Sequence, residues 1–176
     1  MTHKLIFAGF GGQGILFSGK VLAYSAMKAD MEVSWLPSYG PEMRGGTANC
    51  HVIVSDLPIS SPLVTEPTIL AVMNRPSFFK FEDTLAPGGV IIKDSTLIDA
   101  KGKRDDVRYF DIPATDMAME MNITKLANMI VLGKIVKETG ILPIETVISG
   151  LEQMTPKRKE HLLEPNKNAI MAGYNY

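Results

Sequence analysis

The chain has 176 residues, of which 45% are hydrophobic and 21% are charged, and these values fit a single globular domain. The formal net charge of -1 excludes both the basic bias of a nucleic-acid-binding protein and an acidic solvating tail. Cys50 is the only cysteine, so the chain cannot form an internal disulfide or hold an iron–sulfur cluster, which needs about four ligands.

The lone thiol and the apolar segments predict a cytoplasmic protein. A single cysteine is typical of a reducing compartment. The apolar run at residues 4–8 is shorter than the core of a signal peptide and is followed by glycines rather than a cleavage site. No apolar stretch reaches the roughly 20 residues of a membrane span, and we therefore expect no contact with a membrane.

The opening of the chain predicts a βαβ unit. Residues 4–8 form a buried strand, the glycine-rich residues 9–14 form a turn, and residues 15–29 carry apolar side chains at helical spacing. Residues 31–36 predict the second strand of this unit.

A loop and an antiparallel strand are expected next. Residues 37–46 contain two prolines and three glycines, too many for a helix or a strand. Residues 47–55 predict a strand, and the segment before it holds no helix. Because parallel neighbours need a crossover of about a dozen residues, this strand is expected to be antiparallel to a neighbour.

The rest of the chain alternates strands and helices. We therefore predict one domain over residues 1–176, a Rossmann-like three-layer α/β/α sandwich with a mostly parallel sheet and at least one antiparallel strand. The polar tail, residues 155–176, shows only weak helical character and is expected to fray or to reach onto a partner. Further strands are predicted at 67–73, 90–94 and 107–112, and helices at 76–85, 124–138 and 143–153.

The glycine turn is the first candidate site. Gly9, Gly11 and Gly14 match the pattern G-x-G-x-x-G between a strand and a helix, where backbone N–H groups approach an anion. Gly12 and Gln13 complete the turn, and the Gln13 amide can both donate and accept hydrogen bonds. The alternative is that these glycines serve only the geometry of a tight turn.

A free-standing NAD- or FAD-binding domain is one hypothesis for this turn. Such a domain places an Asp or Glu about 20 residues further on, at the end of the second strand. Here that end is Leu36-Pro37-Ser38, and Glu32 lies at the start of the strand. The dinucleotide hypothesis therefore lacks its second feature.

The loop at residues 37–46 is the second candidate site. If the second strand runs parallel to the first, this loop and the glycine turn leave the same edge of the sheet. Arg44 offers a fork of donors for a carboxylate or phosphate, Tyr39 a flat face and a hydroxyl, and Gly45-Gly46 a hinge. The alternative is a solvated loop with a weak Glu42–Arg44 ion pair.

A Cys–His pair also occurs in the sequence. Cys50 and His51 are adjacent in the predicted strand 47–55, so their side chains point to opposite faces of the sheet. They cannot share a proton, and we interpret both as structural. The three histidines show no metal-ligand spacing, and we predict no metal site.

The glycine turn and the loop together carry a family resemblance. Gly9–Gly14 followed by Ser38–Gly46 resembles the gamma subunit, or gamma domain, of 2-oxoacid:ferredoxin oxidoreductases. The resemblance implies a part in the oxidative decarboxylation of a 2-oxoacid to an acyl-CoA, with electrons passed to ferredoxin. The chain would not be active alone. The 2-oxoacid stays open between 2-oxoglutarate, a branched-chain 2-oxoacid and pyruvate, because Met43 stands where relatives often have a small residue.

The resemblance also implies cofactors and partners. Thiamine diphosphate, magnesium and iron–sulfur clusters would be held by partner subunits (alpha, beta and a ferredoxin-like delta), with ferredoxin as acceptor. The gamma part would contact these partners or help to position coenzyme A. A non-catalytic scaffold module remains an alternative, and Lys157-Arg158-Lys159 is interpreted as an exposed helix start. The residues to which the contact role is carried over are Gly9, Gly11, Gly12, Gln13, Gly14, Tyr39, Glu42, Arg44, Gly45 and Gly46.

Overall fold

A computed structural model describes residues 1–38 and 47–176 of the protein. In this part of the chain there are six strands and six α-helices. The strands are β1 (Thr2–Phe10), β2 (Glu32–Ser38), β3 (Thr47–Ser55), β4 (Ile69–Val72), β5 (Val90–Asp94) and β6 (Arg108–Ile112). The helices are α1 (Ile15–Lys28), α2 (Arg75–Phe81), α3 (Ala114–Glu120), α4 (Ala127–Thr139), α5 (Ile144–Met154) and α6 (Leu163–Asn175). Three 3-10 segments lie at Glu82–Thr84, Thr124–Leu126 and Lys157–Leu162.

The sheet is mixed, as predicted. Its strand order is β2-β3-β1-β4-β5-β6. Strand β3 is antiparallel to both of its neighbours, whereas β1, β4, β5 and β6 are parallel to one another. Because β1 and β2 are both antiparallel to β3, β2 runs in the same direction as β1. The ends of β1 and β2 and the start of β3 therefore share one edge, which we call the carboxyl edge.

Helices cover both faces of the sheet, which confirms the three-layer α/β/α sandwich. Alternation along β1 sends Leu5 and Phe7 to one face and Ile6 and Ala8 to the other. The first pair packs in a core that includes residues of α1, α3, α4, α5 and α6. The second pair packs against Phe78 of α2 and the segment that follows β3.

The C-terminal tail does not fray, and that part of the prediction is wrong. Residues 163–175 form α6, which packs against α4 along a backbone-to-backbone contact. A Cβ atom added to Gly133 would lie 1.9 Å from the carbonyl oxygen of Ile170. One added to Gly173 would lie 1.8 Å from that of Ile130. The two glycines permit an approach that any larger residue would prevent, and Ala169 and Ile170 are fully buried beside them.

No helix within residues 1–38 or 47–176 has the length and apolar character needed to cross a membrane. The same residues contain no group of three or more His, Cys, Asp or Glu side chains that could hold a metal ion.

Candidate functional site

The glycine turn lies between β1 and α1 at the carboxyl edge. Gly12 and Gly14 have φ values of 95° and 77°, a left-handed backbone that is strained for residues with a Cβ atom. At Gly9 a Cβ atom would lie 2.6 Å from Oε1 of Gln13 and 2.7 Å from Cδ1 of Ile15. Backbone geometry therefore favours glycine at positions 12 and 14, whereas at position 9 the side chains of Gln13 and Ile15 leave little room for a Cβ atom.

Gln13 connects the turn to the neighbouring parallel strand. Its Oε1 accepts a hydrogen bond from the backbone N–H of Phe10 at 2.6 Å, and its Nε2 donates to the carbonyl oxygen of Met73 at 2.9 Å. Met73 directly follows β4. Both ends of the amide are thus engaged within the protein, and Gln13 fixes the turn in place rather than presenting a free amide at its mouth.

The turn occupies the switch point of the sheet. After β1 the chain passes to α1 on one face, and after β4 it passes to α2 on the other face. In open α/β sheets, ligands bind at the carboxyl ends of strands where the connections diverge in this way. A cavity of about 250 Å³ lies here, lined by Gly12, Gln13, Met73, Leu97, Thr115, Thr124, Lys125 and Ala127.

A larger cavity lies beside the start of α1, and we call it the α1 cavity. Its volume is about 460 Å³, in the range of small-molecule sites. It adjoins the first cavity, since Lys125 lines both. It is lined by Gly14, Phe17, Lys20, Lys125, Leu126, Asn128, Leu151, Met154, Thr155, Pro156, Lys159, Leu162 and Asn166.

Two buried asparagines in the α1 cavity carry unpartnered oxygens. Asn128 is 3% exposed, and its Nδ2 donates to the carbonyl oxygen of Gly14 at 3.0 Å and to Oγ of Ser18 at 2.9 Å. Asn166 is 6% exposed, and its Nδ2 donates to the carbonyl oxygen of Leu162 at 2.7 Å. Neither Oδ1 atom has a hydrogen-bond partner among the described residues. A buried acceptor without a partner costs about 1–3 kcal/mol, so a hydrogen-bond donor that reached either oxygen would stabilise the protein.

The charge of the α1 cavity is positive. Lys20, Lys125 and Lys159 line it from three different elements, and no lining residue is acidic. The N-terminus of α1 adds to this field, because Gly14 provides no side-chain cap and the first turn contains no acidic residue. The arrangement therefore favours an anion that also carries hydrogen-bond donors.

The structure brings half of the predicted site residues together. Gly9, Gly11, Gly12, Gln13 and Gly14 lie at the carboxyl edge. The remaining predicted residues lie outside the described part of the chain, namely Tyr39, Glu42, Arg44, Gly45 and Gly46. The flanks of that segment reach the same edge, because Thr47 lies opposite Phe10 and Ser38 lies opposite Asn49.

Glu32 lies at the wrong edge for a dinucleotide site. It is opposite Ser55, which in turn lies opposite Thr2 at the start of β1. Glu32 therefore lies at the edge of the sheet where β1 begins, and most of the nine-residue length of β1 separates it from the glycine turn. The end of β2, Leu36-Pro37-Ser38, contains no acidic residue that could bind the ribose of a dinucleotide in place of Glu32.

Cys50 and His51 face opposite sides of the sheet, as predicted. The buried Cys50 thiol donates to the carbonyl oxygen of Ile15 at 3.8 Å, and burial raises its pKa to about 12. The Nδ1 atom of His51 accepts from the backbone N–H of Val64 at 2.9 Å on the other face. Both side chains therefore have structural roles in strand β3.

The chain is a Rossmann-like α/β domain whose glycine turn and positively charged cavity lie at the carboxyl edge of the sheet. The sequence pattern of the family "Pyruvate ferredoxin/flavodoxin oxidoreductase" matches residues 4–176. The chain belongs to this family.

Curated relatives of two lengths resemble the chain. The ketoisovalerate oxidoreductase subunit VorA of Methanothermobacter thermautotrophicus is 36% identical over 94% of this chain, which spans only 34% of that subunit. The 2-oxoglutarate synthase subunit KorC of Methanocaldococcus jannaschii is 34% identical over 99% of this chain and 93% of its own length. The chain thus spans about a third of VorA and nearly all of KorC.

Solved structures share the fold. The gamma subunit of a keto/oxoacid ferredoxin oxidoreductase from Geobacter sulfurreducens is 26% identical, with a TM-score of 0.84 over 98% of this chain and 96% of its own. A 2-oxoglutarate:ferredoxin oxidoreductase from Magnetococcus marinus, with 2-oxoglutarate, coenzyme A and succinyl-CoA bound, is 25% identical. Its TM-score is 0.87 over 99% of this chain and 30% of that one.

Proposed function

We propose that the chain is the gamma component of a 2-oxoacid:ferredoxin oxidoreductase and is inactive on its own. The reaction is the oxidative decarboxylation of 2-oxoglutarate, a branched-chain 2-oxoacid or pyruvate to an acyl-CoA, with electrons passed to ferredoxin. The family membership and the similarity to KorC over nearly its full length support this proposal. Thiamine diphosphate, magnesium and iron–sulfur clusters belong to the alpha, beta and ferredoxin-like delta partners, and the complex works in the cytoplasm.

Within this complex the carboxyl edge contacts coenzyme A. The observation that carries this proposal is the α1 cavity, which is lined by three lysines and by two asparagines whose side-chain oxygens lack partners. Coenzyme A combines phosphate groups with N–H donors in its adenine and amide groups, which is the combination that this cavity accommodates. The relative from Magnetococcus marinus contains bound coenzyme A.

Residues of this chain would bind and orient coenzyme A rather than perform chemistry. The lysines would neutralise its phosphates, and the asparagine oxygens would accept from its donors. The glycine turn would allow the backbone to approach the ligand closely. Tyr39, Glu42, Arg44 and Gly45-Gly46, whose flanks reach the same edge, complete the proposed contact surface for coenzyme A or a partner subunit.

The test uses the complex assembled from this chain and its partner subunits. Lys20→Gln removes one charge from the α1 cavity, whereas Lys28→Gln removes a charge from the end of the same helix, outside the cavity. We expect Lys20→Gln to raise the KM for coenzyme A about tenfold with little change in kcat, since a charge-assisted hydrogen bond contributes about 1.5–3 kcal/mol. Lys28→Gln should leave both constants unchanged.

Two outcomes would count against different parts of the proposal. An equal, wild-type KM for coenzyme A in both variants would favour the scaffold alternative over a contact with coenzyme A. Failure of the assembled complex to reduce ferredoxin with any of the three classes of 2-oxoacid would contradict the proposed reaction itself.

A further inference from the structure

The outer wall of the α1 cavity is an unusual 3-10 segment, Lys157–Leu162. Its six residues exceed the three or four at which such helices normally end, because their hydrogen-bond geometry is poor. Every residue from Pro156 to Leu162 is exposed. Lys159 and Leu162 nevertheless line the cavity, as do Thr155 and Pro156 just before them. We call residues 155–162 the lid.

The lid is anchored at its two ends. At the first end, Oγ1 of Thr155 donates to the carbonyl oxygen of Leu151 in α5 at 2.7 Å. At the second end, Nδ2 of Asn166 donates to the carbonyl oxygen of Leu162 at 2.7 Å. Between these anchors, the backbone N–H of Lys159 bonds to the carbonyl oxygen of Pro156 at 2.8 Å. A segment with fixed ends and an exposed middle can move as a flap at low cost in free energy.

The lid contains three basic residues and one acidic residue, Glu160, and it faces other basic residues across the cavity. Lys157, Arg158 and Lys159 are consecutive, and none forms an ion pair with another described residue. Lys159 lines the same cavity as Lys20 and Lys125. Like charges across the cavity repel one another, so closing it without an anion is unfavourable. An anion bound between these lysines attracts each of them, so closing the cavity around it becomes favourable.

We propose that the lid closes over an anionic, phosphate-bearing ligand in the α1 cavity. The identity of the ligand as coenzyme A rests on the proposed function, whereas the closure rests on the geometry of the lid. Lys159 moves toward the ligand's phosphates, while Lys20 and Lys125 hold them from the opposite walls. Binding of a ligand in the α1 cavity therefore shifts the lid toward its closed conformation.

Asn166 links the ligand to the lid. Its Nδ2 atom holds Leu162, the last residue of the lid, and its Oδ1 atom lacks a partner. A ligand that donates to Oδ1 fixes the orientation of the whole amide and strengthens the anchor at Leu162. Asn166 is thus a positioning residue for the lid as well as part of the cavity wall.

Limited digestion with trypsin measures closure directly. Trypsin cleaves after Lys157, Arg158 and Lys159, and cleavage of a folded chain reports the population of open conformations. With coenzyme A at ten times its Kd, we expect cleavage in the lid of the full chain to slow about tenfold. Cleavage after Lys101 and Lys103, in an exposed segment away from the cavity, is the internal control and should not change.

Partial ligands identify the chemical group that closes the lid. Adenosine 3′,5′-bisphosphate carries phosphates and should protect the lid, whereas pantetheine carries none and should not. Protection by pantetheine alone would show that apolar contacts, rather than charge, close the lid, and would contradict the proposal.

A matched pair of variants tests the role of Lys159. Lys159→Gln and Lys157→Gln each remove one charge from the lid and leave two cleavage sites, but only Lys159 lines the cavity. We expect Lys159→Gln to weaken coenzyme A binding about tenfold in calorimetry and to reduce protection accordingly. Lys157→Gln should behave like the wild type.

The proposal is overturned if coenzyme A leaves cleavage in the lid unchanged in both the full chain and the assembled complex. It is also overturned if the two variants lose affinity equally. These results are independent of turnover, so a complex that oxidises 2-oxoacids normally while its lid stays open would reject the lid and leave the proposed function standing.

Discussion

The two halves of helix α6 differ in how they meet the rest of the protein. In the C-terminal half, Gly173 lies against the backbone of α4 so closely that there is no room for a methyl group. In the N-terminal half, Asn166 lines the α1 cavity and leaves a buried oxygen without a partner. We call the C-terminal half, which packs tightly against α4, the sealed half. We call the N-terminal half, which borders the α1 cavity beside the glycine turn, the open half.

The difference indicates that the C-terminal half of α6 contributes mainly to stability, whereas the N-terminal half contributes to the wall of the candidate binding cavity. Close packing of backbone on backbone gives the sealed half many dispersion contacts and little tolerance of change. The open half retains one unsatisfied polar atom, Oδ1 of Asn166, and borders the positively charged α1 cavity, and both features reduce the stability of the protein without a ligand. Variants of the two halves should therefore differ in kind as well as in size.

The largest effect is expected in the sealed half. Gly173→Ala places a methyl group 1.8 Å from the carbonyl oxygen of Ile130, so α4 and α6 must separate. We expect a loss of about 3 kcal/mol in the free energy of unfolding, measured by urea denaturation. Asn168→Ala, at an exposed position of the same helix, should change it by less than about 0.5 kcal/mol. Equal stability of the two variants would contradict the close packing.

A smaller effect is expected at the glycine turn. Gln13→Ala removes the hydrogen bonds to Phe10 and Met73, and we expect a loss of about 1–2 kcal/mol in the free energy of unfolding. Gln13→Glu keeps the acceptor for Phe10 but sets a carboxylate oxygen against the carbonyl oxygen of Met73, and because two acceptors repel, its loss should be at least as large. If Gln13→Ala instead left stability unchanged and weakened only coenzyme A binding, the amide would be a ligand contact rather than an internal link.

The open half of α6 should separate stability from binding. Asn166→Leu removes the unpartnered oxygen together with the hydrogen bond to Leu162. These two changes have opposite effects on stability, so we expect the free energy of unfolding to change by less than about 1 kcal/mol. The KM for coenzyme A in the assembled complex should rise about tenfold. A loss of stability as large as that of Gly173→Ala would show that both halves of the helix are structural.

The smallest effect concerns pH and lies on the opposite face of the sheet. Burial lowers the pKa of His51 below 6.5, and the neutral ring accepts from Val64. The unfolded chain therefore binds a proton more readily, so this stabilisation is present above pH 6.5 and is lost as the pH falls through the lowered pKa. His51→Gln retains an acceptor that does not titrate, and its unfolding midpoint should fall less between pH 7 and pH 5. His3, whose pKa is also lowered by burial, would supply the remaining dependence in both proteins.

Local sequence patterns predicted most of the sheet and the glycine turn. The strands at 47–55 and 90–94 have the predicted bounds, because each is a short apolar run between strong turn residues. The antiparallel position of β3 was predicted because the sequence before it, rich in proline and glycine, favours no helix. Gly140 ends α4 in the left-handed conformation, as a glycine after a helical pattern predicts.

The α1 cavity and helix α6 were not predicted, for a physical reason. Asn128 and Asn166 are 38 residues apart in the sequence and meet only through the packing of α1, α4 and α6. The polar tail lacked an obvious apolar face, since its contact with α4 depends on glycines, which carry no hydropathy signal. A polar Asn128 at the head of the apolar run 129–132 was the one local sign of a buried polar role.

The placement of β3 between β1 and β2 has a consequence for how members of such a family diverge. Ser38 is the last residue of β2 and Thr47 is the first residue of β3, and both strands are paired along their length. Changes in the length or composition of the segment between them therefore leave the register of the central strands unchanged. The sequence at positions 39–46 can therefore vary among relatives while the buried scaffold stays fixed.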